Sequence, residues 1–495
     1  MTDSRKTESL LFWSLVVVCA APIWLLPSIP TQDGPAHLYN AYLLHGWWRA
    51  SFPIDRSVFA LNPVPVPNSL STVTLALLMQ FFSPDLSEKV LLTTYAVLFP
   101  VSLRYAARAF DEAPYVYFLG FPLVWNYLLL MGFFNFCFSL AGTLVLIGYY
   151  VRRCERLAAK DLLVLWALSC LLYFSNGLSF YFATGTVGLL AVAKVGWSGI
   201  WKSQIGLVSL VPLSLWYLAS RRQHASAAWE SPRALIWSLA RLSVLLPVFS
   251  SITLKLSMLF GLFLVVAGVV TLCCRHTFVF SDALLFVAAG EFVLYFLAPK
   301  HVGGVGFLNH RMMLAGLTTF VLWVAVQRYS PGLNVALALG GTTIFLALLW
   351  FNVRTSQDLV KTLTLYRKTG PFIEEGHTLR HLQFDRGGYG TTTYPGLRYD
   401  PFMHAGSLVA IDRNLVDLNN YEAASGNFPI IYKDSSMDGR ADYIIIWDEA
   451  RWDHPRIELT EYTSIYRAKD IPLEILLDPQ SMPDGTGQHV PKRPL

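Results

Sequence analysis

The stretch LLFWSLVVVCAAPIWLLPSIPTQDGPAHLYNA, residues 10 to 41, changes from apolar to polar within a few positions. Its first part, 10–29, has the ~20 apolar residues that a helix needs to cross ~30 Å of hydrocarbon. Arg5 and Lys6 precede this run, as in a signal peptide, but no small-residue cleavage site of the A-x-A type ends it. We therefore expect an uncleaved first membrane helix, followed by a polar segment at the membrane edge.

The rest of the chain has the same membrane character. Of its 495 residues, 54% are hydrophobic and only 14% are charged, and the mean hydropathy is +0.44. Backbone groups in hydrocarbon must pair within their own segment, which favours helices. We predict an all-α polytopic membrane protein with about eleven spans, at 10–29, 87–104, 114–130, 133–151, 161–176, 178–195, 204–220, 254–272, 279–298, 311–328 and 332–351.

Two further apolar stretches are assigned to the membrane interface. The stretch 69–82 has only ~14 residues, which is short for a span, and 234–251 is interrupted by Arg241 and Pro247. Counting either one as a span would invert the topology of everything after it.

The domain division follows the loss of apolar runs after Phe351. We predict a transmembrane domain over 1–351 with a long first exterior loop at 30–86, a small soluble α+β domain over 352–478, and a flexible tail over 479–495. Apolar or alternating runs predict strands at 441–450, 462–468 and 472–478.

Charge sets the expected orientation. If Arg5 and Lys6 are cytoplasmic, the span count places most basic loop residues in the cytoplasm, as the positive-inside rule favours. Arg221 and Arg222 are exceptions, because the same count places them outside the cytoplasm. The loop 30–86, the loop 299–310 and the C-terminal domain would then all lie outside the cytoplasm. The residues placed on the cytoplasmic side are Arg104, Arg108, Arg152, Arg153, Arg156, Lys160, Lys194, Lys202, Arg275 and Arg328.

Several functional classes are disfavoured by the composition. The net charge of +5 comes with no dense basic tract, so no nucleic acid partner is expected. No Gly-rich nucleotide fingerprint is found. The six cysteines all lie in or beside apolar runs, so they offer neither a disulfide framework nor metal-ligand spacing.

The first exterior loop contains an acidic residue and a histidine one helical turn apart, Asp33 and His37. Asp33 could cap the helix that the following residues predict. Alternatively, burial at the water–lipid boundary could tune it into a general base. His37 could orient Asp33, contact a phosphate, or serve only as a structural hydrogen-bonding group. We expect the helix itself to lie along the membrane surface, with Trp47 and Trp48 at headgroup level.

A second candidate site is the loop APKHVGGVGFLNHRMM, residues 298 to 313. Lys300, His301, His310 and Arg311 flank flexible glycines and could grip a phosphate, with Arg311 offering two parallel donors. The alternative is that Lys300 and Arg311 only reach from helix ends to the membrane surface. Other candidates are the intramembrane carboxyls of Asp282 and Glu291, which would suit a transport path, and a C-terminal cleft with Tyr394, Arg398, Asp400 and His404.

The order of these features resembles the GT-C superfamily of membrane glycosyltransferases. The likeness covers the architecture of the chain, and its specific part is residues 31–68, with TQDGPAHLYNA after the first helix and NPVPVPN later in the loop. This superfamily includes protein O-mannosyltransferases, oligosaccharyltransferases and the aminoarabinose transferase of lipid A. The chain is also similar to a bacterial branch of membrane proteins that carry QDGPAHLYNA.

The resemblance implies transfer of a sugar from a polyprenyl-phosphate or polyprenyl-pyrophosphate donor to a lipid, glycan or protein acceptor outside the cytoplasm, with inversion at the anomeric carbon. Asp33 matches the first-loop acid of such enzymes, and Tyr39, Asn40, Tyr394 and His404 are candidates for the acceptor pocket. A bacterial inner membrane and a role in the cell envelope are implied in the same way.

The sequence departs from the pattern of several family members. They pair the first-loop acid with a second carboxylate, but here Gly34 and Pro35 follow Asp33. No metal cofactor is therefore supported, and His37 is the nearest substitute for the second acid. A transporter or flippase of lipid-linked saccharide, for which Glu291 and Asp282 would matter more, and a non-catalytic envelope-assembly subunit remain the alternatives.

Overall fold

The computed structural model describes residues 2–47, 49, 56–110, 115–220, 227–273, 279–302, 306–383, 396–433, 441–447, 458–459 and 463–467. The chain divides into two compact units. Unit 1 comprises 1–28, 63–71 and 88–355, and unit 2 comprises 29–62, 72–87 and 356–495.

Unit 1 is built mainly of apolar helices. They are α1 (Thr2–Leu25), α4 (Pro84–Ala107), α5 (Tyr127–Leu130), α6 (Phe134–Arg153), α7 (Ala159–Ser175), α8 (Gly177–Val195), α9 (Trp197–Ser203), α10 (Ile205–Ser220), α11 (Pro232–Ala240), α12 (Ser251–Cys273), α13 (Ala283–Leu297), α14 (Leu308–Ala325) and α15 (Pro331–Arg367), which continues beyond the unit. Short 3-10 helices cover Arg108–Phe110, Val116–Leu123, Ser243–Leu245 and Phe280–Asp282. Two short strands, β2 (Ala227–Ala228) and β3 (His301–Val302), pair antiparallel.

The length and composition of these helices confirm a polytopic helical membrane protein. Among the described residues, seven helices are long and apolar enough to cross a membrane, and the bent pair α9–α10 would make eight. The predicted spans 161–176 and 311–328 overlap α7 and α14, which are not among these seven helices, and the number eleven stays a prediction.

The expected span 114–130 is not one continuous α-helix. A 3-10 helix over Val116–Leu123 contains Pro122, which lacks the backbone donor that an α-helix needs. Asn126 then caps α5, because its side chain accepts a hydrogen bond from the Leu129 amide at 2.9 Å. The break therefore has a local cause in the sequence.

Unit 2 combines short helices with strands. Its remaining helices are α2 (Gly34–Gly46), α3 (Leu70–Leu78), α16 (Gly406–Arg413) and α17 (Tyr421–Ser425), besides the 3-10 helix Gly370–Phe372. Its strands are β1 (Phe59–Leu61), β4 (Thr378–Gln383), β5 (Val416–Asp417), β6 (Ile430–Tyr432), β7 (Tyr443–Trp447), β8 (Glu458–Leu459) and β9 (Thr463–Arg467).

The main sheet of unit 2 has the strand order β5-β4-β7-β9-β8. Strand β4 pairs parallel with β5 and β7, whereas β9 pairs antiparallel with β7 and β8. The strands predicted at 441–450 and 462–468 are confirmed as β7 and β9, and the one at 472–478 lies outside the described residues. Ile444, Ile445 and Ile446 are buried, as expected of a central strand.

Helix α2 is a core element of unit 2, and the expectation that it lies along the membrane surface stays a prediction. Every one of its residues except Tyr42 is buried. It packs against α16, α17 and β6. The elements that cover it are distant in sequence and belong to the C-terminal part of the chain. Trp48 lies outside the described residues.

Polar side chains of α2 fix it to this C-terminal chain. The Tyr39 hydroxyl donates to the Leu415 carbonyl at 2.8 Å and accepts from the Asp417 amide at 3.1 Å. Asn40 donates to the Asn420 side chain at 2.9 Å. Strand β1 pairs antiparallel with β6 a little further along the loop. Tyr39 and Asn40, predicted to line an acceptor pocket, therefore have structural partners.

We expect Tyr39→Phe to destabilise the protein by about 1–3 kcal/mol, because two buried backbone groups lose the hydroxyl that pairs with them. Thermal unfolding of the purified protein in detergent would show this as a lower Tm. Tyr181→Phe is the matched control, since Tyr181 is 43% exposed. Equal Tm values for the wild type and Tyr39→Phe would contradict the role given to this hydroxyl.

Candidate active site

Asp33 occupies the N-cap position of α2, but its side chain makes no capping hydrogen bond. Its backbone lies in the helical region, at φ −92° and ψ −10°, whereas a capping side chain usually needs an extended backbone. The interpretation of Asp33 as a helix cap is therefore wrong. The carboxylate instead accepts a hydrogen bond from Gln32 Nε2 at 3.2 Å and another from the Tyr421 hydroxyl.

Four further side chains from three segments of unit 2 complete the Asp33 cluster, which we define as Asp33, His37, His404, Tyr421 and Glu422. His404 Nε2 lies 3.7 Å from Asp33 Oδ1, too far for a hydrogen bond but within electrostatic range. Its ring packs on Tyr421 with centroids 4.7 Å apart. His37 forms an ion pair through Nδ1 with Glu422 Oε1. All four ionisable groups, those of Asp33, His37, His404 and Glu422, are buried.

The elements around the cluster explain this placement. One turn into α2, His37 donates its backbone N–H to the Asp33 carbonyl at 3.0 Å. Tyr421 and Glu422 begin α17, whose start is capped by Asn420. His404 lies just before α16, in a turn that His381 Nε2 ties down at the Met403 carbonyl, 2.6 Å away.

Burial shifts the pKa values of Asp33 and His404 in opposite directions. It raises the pKa of Asp33 from 3.8 to about 6, although the charge of His37 and the hydrogen bond from Gln32 oppose the rise. It lowers the pKa of His404 to about 3, helped by His381 and His37. At pH 7 Asp33 is thus a carboxylate with a pKa near neutrality, beside a neutral imidazole.

Tyr421 stays protonated throughout the physiological range. Burial, followed by the nearby carboxylates of Asp33 and Glu422, raises its pKa well above the usual value. Its hydroxyl therefore remains a donor to Asp33. A carboxylate that is buried, hydrogen-bonded and close to pH 7 in pKa can accept a proton from a bound hydroxyl group.

The cluster includes some predicted residues and omits others. His404 was predicted to line a pocket and does lie beside Asp33. Asp400 has a supporting role: its backbone N–H donates to the Gln32 side chain at 3.0 Å, and its carboxylate accepts from the Phe402 amide. Tyr394 lies outside the described residues.

Sequence reasoning missed Tyr421 and Glu422. A local signal for α17 was present, because Asn420 caps its start and Gly426, with φ at +65°, follows its end. Nothing in that signal connects the short helix with Asp33, nearly 400 positions earlier. Only tertiary pairing brings them together.

The loop predicted to bind phosphate lies in unit 1 and is only partly cationic. Lys300 Nζ forms an ion pair with Glu230 Oε1 at 3.0 Å, which neutralises it. His301 belongs to β3, and burial together with Lys300 lowers its pKa. His310 is buried in the first turn of α14.

Phe307 is the centre of this loop. Its φ of +57° is a left-handed conformation that costs a bulky residue roughly 1–2 kcal/mol. Its ring lies 5.5 Å from that of His301 and 5.9 Å from that of His310. The Arg311 guanidinium sits 4.5 Å from the ring centroid of Phe133, which also contacts Phe307. His301, His310 and Arg311 are thus gathered by aromatic rings.

The two intramembrane carboxyls have different surroundings. Asp282 is structural, since it accepts hydrogen bonds from Trp323 Nε1 at 3.0 Å and from the Val279 amide at 2.9 Å. Glu291 is buried in α13 and hydrogen-bonds with Thr319. Within the described part of the chain, no group of three or more His, Cys, Asp or Glu residues is arranged to hold a metal ion.

Comparison with known proteins supports the fold but gives no sequence relative. No protein-family model matches the chain, and no curated protein matches it. Among solved structures, it is similar to ArnT from Cupriavidus metallidurans in the apo state, with a TM-score of 0.52 over 94% of this chain and 98% of that chain. The two sequences are 11% identical. The chain therefore shares the fold of ArnT, and the expected fold class is confirmed.

We expect stability to fall as the pH rises from about 4 to about 6, because the unfolded chain has already released the Asp33 proton while the folded chain still holds it. The full effect is at most about 3 kcal/mol for a two-unit difference in pKa. Asp33→Asn should remove this slope and raise the Tm at pH 8, as measured by thermal unfolding in detergent across the pH range.

Asp358→Asn is the control for this measurement. Asp358 also belongs to unit 2, but its side chain is 41% exposed. It should leave the pH dependence of Tm unchanged. The prediction fails if Asp33→Asn keeps the wild-type dependence of Tm on pH, or if its Tm at pH 8 is lower than that of the wild type. Either result would show that the buried carboxyl does not destabilise the folded state.

Proposed function

We propose that this protein is a membrane glycosyltransferase that moves a sugar from a polyprenyl-phosphate or polyprenyl-pyrophosphate donor to a hydroxyl group outside the cytoplasm. The observation that carries the proposal is the buried Asp33 carboxylate, with its pKa near 6, in a chain with the GT-C fold. The acceptor is a lipid, a glycan or a protein. The proposed location is a bacterial inner membrane, as part of cell-envelope synthesis.

In the proposed reaction Asp33 acts as the general base. Its carboxylate takes the proton of the acceptor hydroxyl while that oxygen attacks the anomeric carbon from the face opposite the lipid phosphate. The bond between the anomeric carbon and the phosphate oxygen breaks, and its electron pair stays on the phosphate. The configuration at the anomeric carbon inverts.

The neighbours of Asp33 fit positioning roles. Tyr421 donates a hydrogen bond that fixes the carboxylate, and the neutral His404 adds no positive charge that would weaken the base. His37, proposed from its spacing to act with Asp33, is engaged by Glu422. Its charge still acts on Asp33 and keeps the pKa from rising further.

The leaving phosphate needs positive charge, since negative charge grows on it as the bond breaks. We assign this role to Arg311, with His301 and His310 as hydrogen-bonding partners of the phosphate oxygens. The guanidinium of Arg311 has two parallel donors that match phosphate oxygens. Lys300 also belongs to the residues predicted to bind phosphate, but its ion pair with Glu230 makes it the least available of them. This assignment gives the charge-neutralising role to side chains and requires no metal ion.

We expect Asp33→Asn to lower the transfer rate by roughly 10²–10⁴-fold, because an amide cannot accept the proton. Binding of the donor should persist. For the wild type, kcat/KM should fall about tenfold per pH unit below about pH 6, as the carboxylate becomes protonated. The assay is transfer of label from a mixed pool of polyprenyl-phosphate sugars into membrane material by the purified protein in lipid.

The control for this experiment is Glu291→Gln, which removes a buried carboxyl from α13. A transferase with Asp33 as its base keeps its rate in this variant. Equal transfer by the wild type and Asp33→Asn would refute the role of Asp33. Loss of saccharide movement in Glu291→Gln alone would instead favour a transporter or flippase of lipid-linked saccharide.

We expect Arg311→Gln to lower kcat by roughly 10–10³-fold, because a cation that stabilises the leaving phosphate is lost. Arg311→Lys keeps the charge but not the two parallel donors, and its rate should lie between those of the wild type and Arg311→Gln. Rates would be measured at saturating donor. If Arg311→Gln and the wild type have the same kcat, Arg311 does not act on the leaving group.

A further inference from the structure

A large basic cleft lies in unit 1 and is lined by none of the residues of the Asp33 cluster or of the loop 298–313. Its volume is about 1060 Å³, which is ample for a drug-sized or lipid-headgroup ligand. Several helices end or begin at it: α4 leads into Arg108, α6 ends at Arg153, α8 ends just after Lys194, and α14 ends just before Val326. Phe280 opens the short 3-10 helix before α13. The cleft thus marks one common end of these helices.

The lining of the cleft is strongly positive. Its charged members are six cations and the single carboxylate of Glu155; the cations are Arg108, Arg152, Arg153, Arg156, Lys194 and Arg328. Such a concentration of one sign of charge in a concave surface focuses the field and attracts anions.

Some of these cations already have protein partners. Arg108 pairs with Glu8 at 3.0 Å, and Lys194 pairs with Glu155 at 3.1 Å. Arg152 donates to the Tyr105 carbonyl. These contacts hold the rim of the cleft in place.

Two arginines are different. Arg156 and Arg328 are exposed, and no carboxylate of the described residues lies within 4.0 Å of either guanidinium. The neighbouring segments 111–114 and 274–278, which contain both acidic and basic residues, lie outside the described part. Arg156 and Arg328 are therefore the side chains best suited to take up an external anion.

The cleft wall also has an apolar component. Phe110 and Phe280 stack with centroids 5.5 Å apart, and Lys194 lies over the Phe280 ring. Val151, Val279 and Val326 complete this part of the wall. Cationic and apolar groups lie side by side at the ends of α4, α6 and α8, which are apolar enough to cross a membrane. This combination suits an amphipathic ligand better than a fully hydrated ion.

We propose that this cleft binds the phosphate groups of an anionic membrane lipid. Arginine matches phosphate with two parallel hydrogen bonds, and basic pockets between membrane helices are suited to acidic lipid headgroups. A lipid with two phosphates would use the several cations of the cleft most fully. The same chemistry would also accept a soluble pyrophosphate, and the apolar wall is the reason to favour the lipid.

The test compares lipid retention by the full-length protein and two double variants. Arg156→Gln with Arg328→Gln removes two cations of the cleft. Lys160→Gln with Lys202→Gln removes two exposed cations that do not line it. Native mass spectrometry would measure the binding of cardiolipin, phosphatidylglycerol and phosphatidylcholine to each purified protein, with and without inorganic pyrophosphate. Thermal unfolding would confirm that each variant is folded.

We expect the wild type to bind cardiolipin at least about tenfold more tightly than phosphatidylcholine, and the cleft variant to lose about tenfold or more of that affinity. The lysine variant should change it by less than about twofold. Equal losses in both variants, or no loss in the cleft variant, would overturn the proposal. If pyrophosphate at the same concentration displaces cardiolipin, the cleft binds a soluble phosphate instead of a lipid.

Discussion

The pairing of the first loop with the C-terminal chain is the constraint on which the Asp33 cluster depends. The Tyr39 hydroxyl bridges to Leu415, a residue 376 positions away, and β1 pairs with β6 over a similar separation. Closing so long a connection costs chain entropy, although the cost rises only slowly with length. Buried hydrogen bonds and the burial of nearly all of α2 offset it. Since Asp33 precedes α2 directly, fixing this helix fixes the carboxylate.

Within the Asp33 cluster, groups of the same chemical type have different surroundings. The cluster holds two carboxyl groups and two imidazoles, and desolvation disfavours the charged form of each. Glu422 has His37 as an ion-pair partner. Burial raises the pKa of Asp33 to about 6, against the lowering effect of the His37 charge and of the hydrogen bond from Gln32. A buried carboxyl group with a pKa near neutrality is suited to proton transfer. The fold therefore gives the two carboxylates different partners.

Features governed by local sequence could be predicted, and features governed by distant pairing could not. Hydropathy indicated the membrane helices, and the apolar run at 441–450 indicated β7, because each depends on a continuous segment. The position of Asp33 before a helix followed from Gly34 and Pro35. The burial of α2 was missed because its cover comes from α16 and α17. Glu422 and the pairing of Lys300 with Glu230 were missed for the same reason.

Helix α14 has basic side chains near both of its ends. Its 18 residues span about 27 Å, with His310 and Arg311 in the first turn and Arg328 shortly after the end. At its start, Arg311 and His310 are packed among aromatic rings, where the effective dielectric constant is lower than in water. At its end, the cations are many and mostly exposed, so each acts weakly and their sum attracts acidic groups over a wider area. The same residue types therefore have different surroundings at the two ends of α14, since aromatic rings pack against them at its start and solvent reaches most of them at its end.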